Sequence, residues 1–343
     1  MYFLLATIFS LLFTFAVGKI ARYFNIVDKP IGGRHVHQKE IPLLGGAGIF
    51  LSFWLITITW FFLDQPDFSL RQLGFLFLGS LLVMMVGFFD DKYKTSAKKR
   101  LFLTALAVLI VMLGGMNFDG ITNPFGGTFG LDFWQIGTPW GIILVAADLL
   151  VFFWILGMVY STKVLDGLDG LSAGIVLIGC LMIAALASMA KFFDPDIKTM
   201  SLVFAGSILG FWFLNFYPAK IFLGEGGSMF LGLVLGFLAV VSGGKIATAL
   251  LVMAIPVLDL GRVIFKRYKN KKRIFEGDRE HLHFKLLDLG LNQRQAVLIL
   301  YGIALLFGLS TLVLPSFYKM LVLGFLVLFM ILFEIKVSRI KVF

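Results

Sequence analysis

Of 343 residues, 59% are hydrophobic and 15% charged, and the formal net charge is +10. A soluble domain of this length needs far more polar surface, so the composition excludes one and points to a membrane protein. The one cysteine, Cys180, lies inside an apolar run, which excludes an intrachain disulfide.

Charge-free runs fall at roughly 1–18, 41–63, 72–89, 101–118, 139–160 (interrupted by Asp148), 170–190, 199–219, 226–244, 246–258 extending towards 264, 295–318 and 320–333. Most are long enough to cross a hydrocarbon core of about 30 Å as helices. The reading is an all-α polytopic membrane protein of about 11 transmembrane helices, forming one domain over 1–343. The first run lacks a basic leader and a small-residue cleavage site, so it reads as a retained span. Between the fourth and fifth runs, 119–138 is rich in Gly, Asn-Pro and aromatics, which predicts turns and a small hairpin. Pro256 falls inside the ninth run and kinks it, either as a packing feature or with a functional role. Asp148 has no evident role at this level.

Basic residues orient the chain. With the N-terminus outside and the C-terminus cytoplasmic, 25 of the 30 Lys and Arg fall in inner segments, a strong positive-inside pattern. Trp60, Trp134 and Trp140 then lie near outer span ends, as an aromatic belt would. The positive inner face either attracts anionic membrane lipid or handles anionic substrates. Nucleic acid is not expected as a partner, because the basic run "KRYKNKKR" (266–273) adjoins a span.

The polar clusters collect on that same face. In "GFFDDKYKTSAKKRL" (87–101), Asp90 and Asp91 are adjacent. Paired carboxylates suit a hard cation, and their repulsion raises one pKa, as a general base needs. The alternative is a solvated helix end. In "VLDGLDGLSAG" (164–174), Asp166 and Asp169 would share a helix face at i, i+3, or sit in a loop with Asx-turns. In "FLGEGGSMFLGLVLG" (222–236), Glu225 adds a carboxylate. Gly226, Gly227 and Ser228 offer backbone N–H groups to an anion, while Ser228, Gly232 and Gly236 also make a small-residue packing stripe. All four histidines form two H-x-H pairs, His35/His37 and His281/His283, accompanied by Arg34 and Arg279. Nothing in their spacing fixes a zinc tetrahedron, and Arg with His suits phosphate or sugar hydroxyls better. Together with Lys98, these groups are expected to converge on one cytoplasmic-side cleft.

In order along nearly the whole chain, "VDKPIGGRHVHQKEIPLLGG" (27–46), "GFFDDKYKTSAKKRL", "LDGLDGLSAG", "FLGEGGSMFLG" and "DREHLHFKLL" resemble the motifs of the polyprenyl-phosphate N-acetylhexosamine-1-phosphate transferases, a glycosyltransferase 4 type. The resemblance is strongest to the branch that initiates O-antigen, common-antigen or teichoic acid linkage synthesis. It implies transfer of a sugar-1-phosphate, N-acetylglucosamine-1-phosphate first, from a UDP-N-acetylhexosamine to undecaprenyl phosphate, with UMP released. It also implies Mg2+, with Mn2+ as substitute, and a multi-pass protein of the bacterial inner (plasma) membrane, with homodimerisation left open.

Roles carry over by position. Asp90 and Asp91 match the paired aspartates, one a base for the lipid phosphate, and Lys98 matches a charge-neutralising lysine. Asp166 and Asp169 match the next acidic motif. Glu225 stands at the metal-ligand position, with Asp91 and Asp169 as further ligands. His281 and His283 match a sugar-binding loop. Lys163, Arg34, His37, Gly226, Gly227, Ser228 and Arg279 complete the expected substrate-binding set. Three departures stand out: Glu225 and Gly226 in place of Asp and a small polar residue, Lys163 in place of Asn, and Phe284 in place of a third histidine. The rival reading is an ion-coupled secondary transporter using the inner carboxylates, against which stand their place at span ends and the lack of an inverted repeat.

Overall fold

The computed structural model describes residues 1–29, 40–116, 118, 120–123, 125–138, 141–242, 246–272 and 280–339. Its helices are α1 (Tyr2–Tyr23), α2 (Gly45–Asp64), α3 (Leu70–Tyr93), α4 (Ala97–Leu113), α5 (Val145–Leu165), α6 (Leu171–Ala187), α7 (Pro195–Asn215), α8 (Gly224–Val241), α9 (Ile246–Val252), α10 (Ala254–Lys269), α11 (Leu282–Asp288), α12 (Gln293–Val313) and α13 (Ser316–Arg339). Their starts follow from local chemistry. Ser69 with Gln72, and Asn292 with Gln295, close capping boxes at α3 and α12. Ser96 caps α4, and Asp194 followed by Pro195 opens α7.

Among the described residues, seven helices are long and apolar enough to cross a membrane: α1, α2, α3, α5, α7, α8 and α12. The α9–α10 pair, bent by 74°, makes up to eight. The other three expected spans correspond to shorter helices: α4, α6 and the Ser316–Leu332 part of α13. At 17 residues, α4 and α6 reach about 25 Å, short of the full core thickness. The bend sits at Met253, ahead of Pro256, which occupies the first turn of α10 where a missing N–H leaves no bond unmade.

Strands are few. The pair β1 (Val27–Asp28) and β2 (Ile41–Pro42) brackets the segment before α2. The expected hairpin region holds two: β3 (Gly120–Thr122) with β4 (Thr128–Gly130), and β5 (Gln135–Thr138) with β6 (Gly141–Leu144). The fifth apolar run therefore begins as strand, favoured by the β-branched Ile142 and Ile143, and turns helical at Val145. There Asp148 finds its role. Its Oδ2 accepts the Leu144 N–H at 3.1 Å, in the first turn of α5 where a carboxylate is favoured.

One continuous hydrophobic cluster takes residues from all thirteen helices. Its axis is α8, whose apolar window is 89% buried, against 22% for α1. A helix apolar all round belongs in such a position. Small residues let neighbours reach it. A Cβ on Gly46 would lie 2.1 Å from the Gly227 Cα, and one on Gly87 would lie 1.9 Å from the Gly226 N. Gly232 meets the α5 backbone in the same way. Exposed Leu4, Ile8, Phe62, Phe102 and Leu306 form the apolar outer surface that lipid requires. The ends of α3, α5 and α7 and the starts of α4, α6 and α8 meet at one end of the bundle.

Candidate active site

At that end lies a cavity of about 880 Å³, the size of a small-molecule site. Asp91, Asp166, Asp169 and Glu225 line it, with Lys94, Arg100 and Lys163 among them. One flank is apolar, built from Leu101, Phe153, Leu156 and Ile264.

Asp91 ends α3 facing the start of α8. Its Oδ2 accepts the Glu225 N–H at 3.1 Å, which places a carboxylate on the positive end of that helix. Gly224 adopts φ +78°, and a Cβ there would lie 2.9 Å from the Asp91 Oδ2, so the close approach depends on glycine. Asp90 points elsewhere. It is buried, ion-paired with Arg100 and bonded by the Thr95 hydroxyl at 2.7 Å. Adjacent residues on a helix diverge by about 100°, so only one of the pair reaches the cavity. The expectation of two catalytic aspartates becomes one at the cavity and one holding Arg100.

Lys98 is exposed and absent from the cavity wall, whereas Arg100 lines it. Two residues along α4 turn the side chain by about 200°, which separates their directions. Lys94, which ends α3 at φ 52°, takes the place expected of Lys98.

The expected i, i+3 helix face at Asp166 and Asp169 is a turn. Asp166 caps the end of α5, and Gly170 at φ +77° opens α6. The turn is pinned by the Asn215 Oδ1, which accepts from the Gly170 N–H at 3.0 Å, and by the Asp169 Oδ2, which accepts from the Ala219 N–H at 2.9 Å. Asp166 is exposed into the cavity. Desolvation within that recess, then the charges of Glu225, Asp91 and Asp169, push its pKa well above the ordinary carboxylate value.

Glu225 pairs with Lys163 at 2.5 Å, each side chain mostly shielded. The unusual lysine thus neutralises the unusual glutamate. Gly226 and Gly227 do not form an open anion cradle. They are buried where α8 crosses α3 and α2. Ser228 does line the cavity, its hydroxyl donating to the Glu225 carbonyl at 3.0 Å.

His281 reaches the cavity, and the His283 ring stacks parallel to it at 5.9 Å. His283 is 2% exposed and packs under Gly167. Burial first, then His281, hold its pKa down to about 3 against the opposing pull of Asp259. Arg34, His37 and Arg279 lie outside the described residues.

The sequence reading missed Asp259. It is buried in α10 and bonded to Arg262, His281 and the Leu282 N–H. An acid inside an apolar run was the available signal.

Among the described residues, no three Asp, Glu, His or Cys side chains are gathered as a ready-made metal site. The expected trio of Glu225, Asp91 and Asp169 is divided among Lys163, the start of α8 and Ala219.

The glycosyl transferase family 4 model matches residues 73–243. The Bacillus subtilis (strain 168) protein named "Probable undecaprenyl-phosphate N-acetylglucosaminyl 1-phosphate transferase" is 32% identical over 92% of this chain and 84% of its own. The chain belongs to glycosyl transferase family 4. Another relative, the phospho-N-acetylmuramoyl-pentapeptide-transferase of Borreliella burgdorferi (strain ZS7), is 31% identical over 90% of this chain and 93% of its own. The decaprenyl-phosphate N-acetylglucosaminephosphotransferase of Mycobacterium leprae (strain TN) is 36% identical over 42% of each chain. The family 4 match includes Asp91, Asp166, Asp169 and Glu225, while His281 and His283 lie beyond it.

Proposed function

We propose that the protein transfers N-acetylglucosamine-1-phosphate from its UDP-sugar to undecaprenyl phosphate, giving the lipid-linked diphosphate sugar and UMP. The observation that carries this reading is the cavity itself, where five carboxylates (Asp28, Asp91, Asp166, Asp169 and Glu225) and four cations (Lys94, Arg100, Lys163 and Arg267) adjoin an apolar flank in a family 4 chain. An oxygen of the lipid phosphate attacks the β-phosphorus, and the bond from that phosphorus to the bridging oxygen of UMP breaks. The apolar flank accommodates the first isoprene units. Lys94, Arg100 and Lys163 offset charge on the diphosphate as it transfers. Asp91, rather than Asp90, serves the lipid phosphate as base.

Magnesium is part of the proposal. The donors are all oxygens, as a hard cation prefers, and Asp166 and Asp169 are the residues that would hold it together with oxygens of the substrate phosphates. The ion would supply Lewis-acid stabilisation of the diphosphate. Glu225 is left to Lys163 in this scheme. We assign the cavity to the cytoplasmic face of a bacterial plasma membrane, with the expected 11 spans, on the strength of the 25 inner basic residues. Family membership favours this reading over the ion-coupled transporter.

A panel of radiolabelled UDP-sugars, tested with purified protein, magnesium and undecaprenyl phosphate, examines the proposal. UDP-N-acetylglucosamine is expected to label the lipid. Labelling only by the UDP-N-acetylmuramoyl-pentapeptide would move the chain to the activity named for the Borreliella relative. No labelling by any donor would overturn the proposal.

A further inference from the structure

We infer that Asp259 is a positioning residue that holds the His281 imidazole with its proton on Nδ1 and its Nε2 turned to the cavity as a hydrogen-bond acceptor. The geometry begins with the bend between α9 and α10, which brings the first half of α10 beside the start of α11. Asp259 is 3% exposed there. Its Oδ2 lies 2.8 Å from the His281 Nδ1, and both carboxylate oxygens lie 3.2 Å from the Leu282 N. The Arg262 guanidinium closes the other side at 2.7 Å and also donates to the Glu280 carbonyl at 2.5 Å.

A carboxylate accepts and does not donate, so the shared proton belongs to Nδ1. A neutral imidazole then has its lone pair on Nε2, and the ring lies on the cavity wall. The stacked His283 ring, itself buried, limits rotation from the far side. Arg262 keeps the carboxylate charged and aligned. The ring is therefore fixed by groups that never touch the substrate. A hydroxyl or amide N–H of the donor sugar is the chemistry an Nε2 acceptor takes. That ligand assignment rests on the proposed function, whereas the ring's tautomer does not.

The test is a double-mutant cycle. Asp259→Asn is close in shape but cannot anchor the ring in one state. It is expected to lower kcat/KM for the UDP-sugar about 10- to 100-fold, the scale on which a metal-bound histidine suffers from loss of its carboxylate partner. His281→Gln should cost a similar factor, and the double variant should be no worse than His281→Gln alone. Multiplying losses, or an Asp259→Asn protein that is merely less stable with unchanged kcat/KM, would overturn the inference. Nitrogen-15 NMR of histidine-labelled wild-type protein gives an independent reading, which also decides the matter if Asp259→Asn does not fold. The His281 signals should report a protonated Nδ1 and a bare Nε2. A proton on Nε2 alone would overturn the inference. Failure of the wild type to release UMP would remove the proposed function and leave the tautomer result standing.

Discussion

The Gly87→Ala substitution separates a site built by helix contact from one built by side chains alone. Gly87 lies one turn before Asp91 on α3, against the start of α8. A new Cβ would fall 1.9 Å from the Gly226 N, 2.0 Å from its Cα and 2.7 Å from the Glu225 carbonyl carbon. All three are backbone atoms, so no side chain can swing aside. Reaching an ordinary contact of about 3.4 Å requires α3 and α8 to part by roughly 1.5 Å at this point. The strain corresponds to about 1–3 kcal/mol of overpacking, which a helix bundle this size survives. The bond from the Glu225 N–H to Asp91, now 3.1 Å, does not survive it. A displacement of about 1 Å in a catalytic group can cost 10²-fold in rate, so kcat should fall by about that factor in a folded protein. The control is Gly74→Ala, on the same helix with nothing within 4 Å of its new Cβ. It should match wild type in turnover and melt no lower, since alanine is the better helix former. The assay is UMP release alongside thermal unfolding in detergent. Full turnover in Gly87→Ala would refute the reasoning, because the α3–α8 contact would then not set the Asp91 position.

The two adjacent aspartates should behave differently. Asp90→Asn leaves the shielded Arg100 without its partner and should lower stability by about 3 kcal/mol, while Asp91→Asn should lower turnover about 10²-fold with little change in melting. The reverse pattern would exchange their roles. Asp166 has a raised pKa, so it holds a proton below that value and gives it up above. Divalent-cation affinity, measured by calorimetry, should therefore climb as pH rises through it, and Asp166→Asn should flatten the climb. His283 stays neutral in the fold down to about pH 3, while the unfolded residue takes a proton near about 6.5. Its contribution is present above about pH 6.5 and is lost as pH falls towards 3. Thermal unfolding at successive pH values should show that loss in wild type and less of it in His283→Phe. An identical slope in both would place the acid sensitivity elsewhere.

The apolar runs and the one-sided clustering of polar motifs were legible in the sequence because lipid tolerates so few charges that each span and each acid stands out. Direction around a helix was not. Asp90 and Asp91 are neighbours in sequence, yet one reaches the cavity and the other holds Arg100. Lys98 and Arg100 divide in the same way. The spacing of Asp166 and Asp169 fits a helix as well as the observed turn, and only the bonds from Ala219 and to Asn215 decide it. Gly226 and Gly227 looked like an anion cradle because exposed and packed glycines read alike until Gly46 and Gly87 are seen against them. Asp259 was passed over as part of a span. Its partners lie 3, 22 and 23 residues away, the farther two at the start of α11, and no local pattern announces that contact.

The central claim is that this cavity moves the β-phosphorus, with its sugar, from nucleotide to lipid. Supplying UDP-N-acetylglucosamine labelled with phosphorus-32 at the β position, with undecaprenyl phosphate and magnesium, follows that atom directly. The label is expected in the lipid product, with unlabelled UMP released in equal amount, and both should form about 10²-fold more slowly in Asp91→Asn. Label remaining in soluble UDP while sugar reaches the lipid would contradict the account, because the bond broken would then be the glycosidic one.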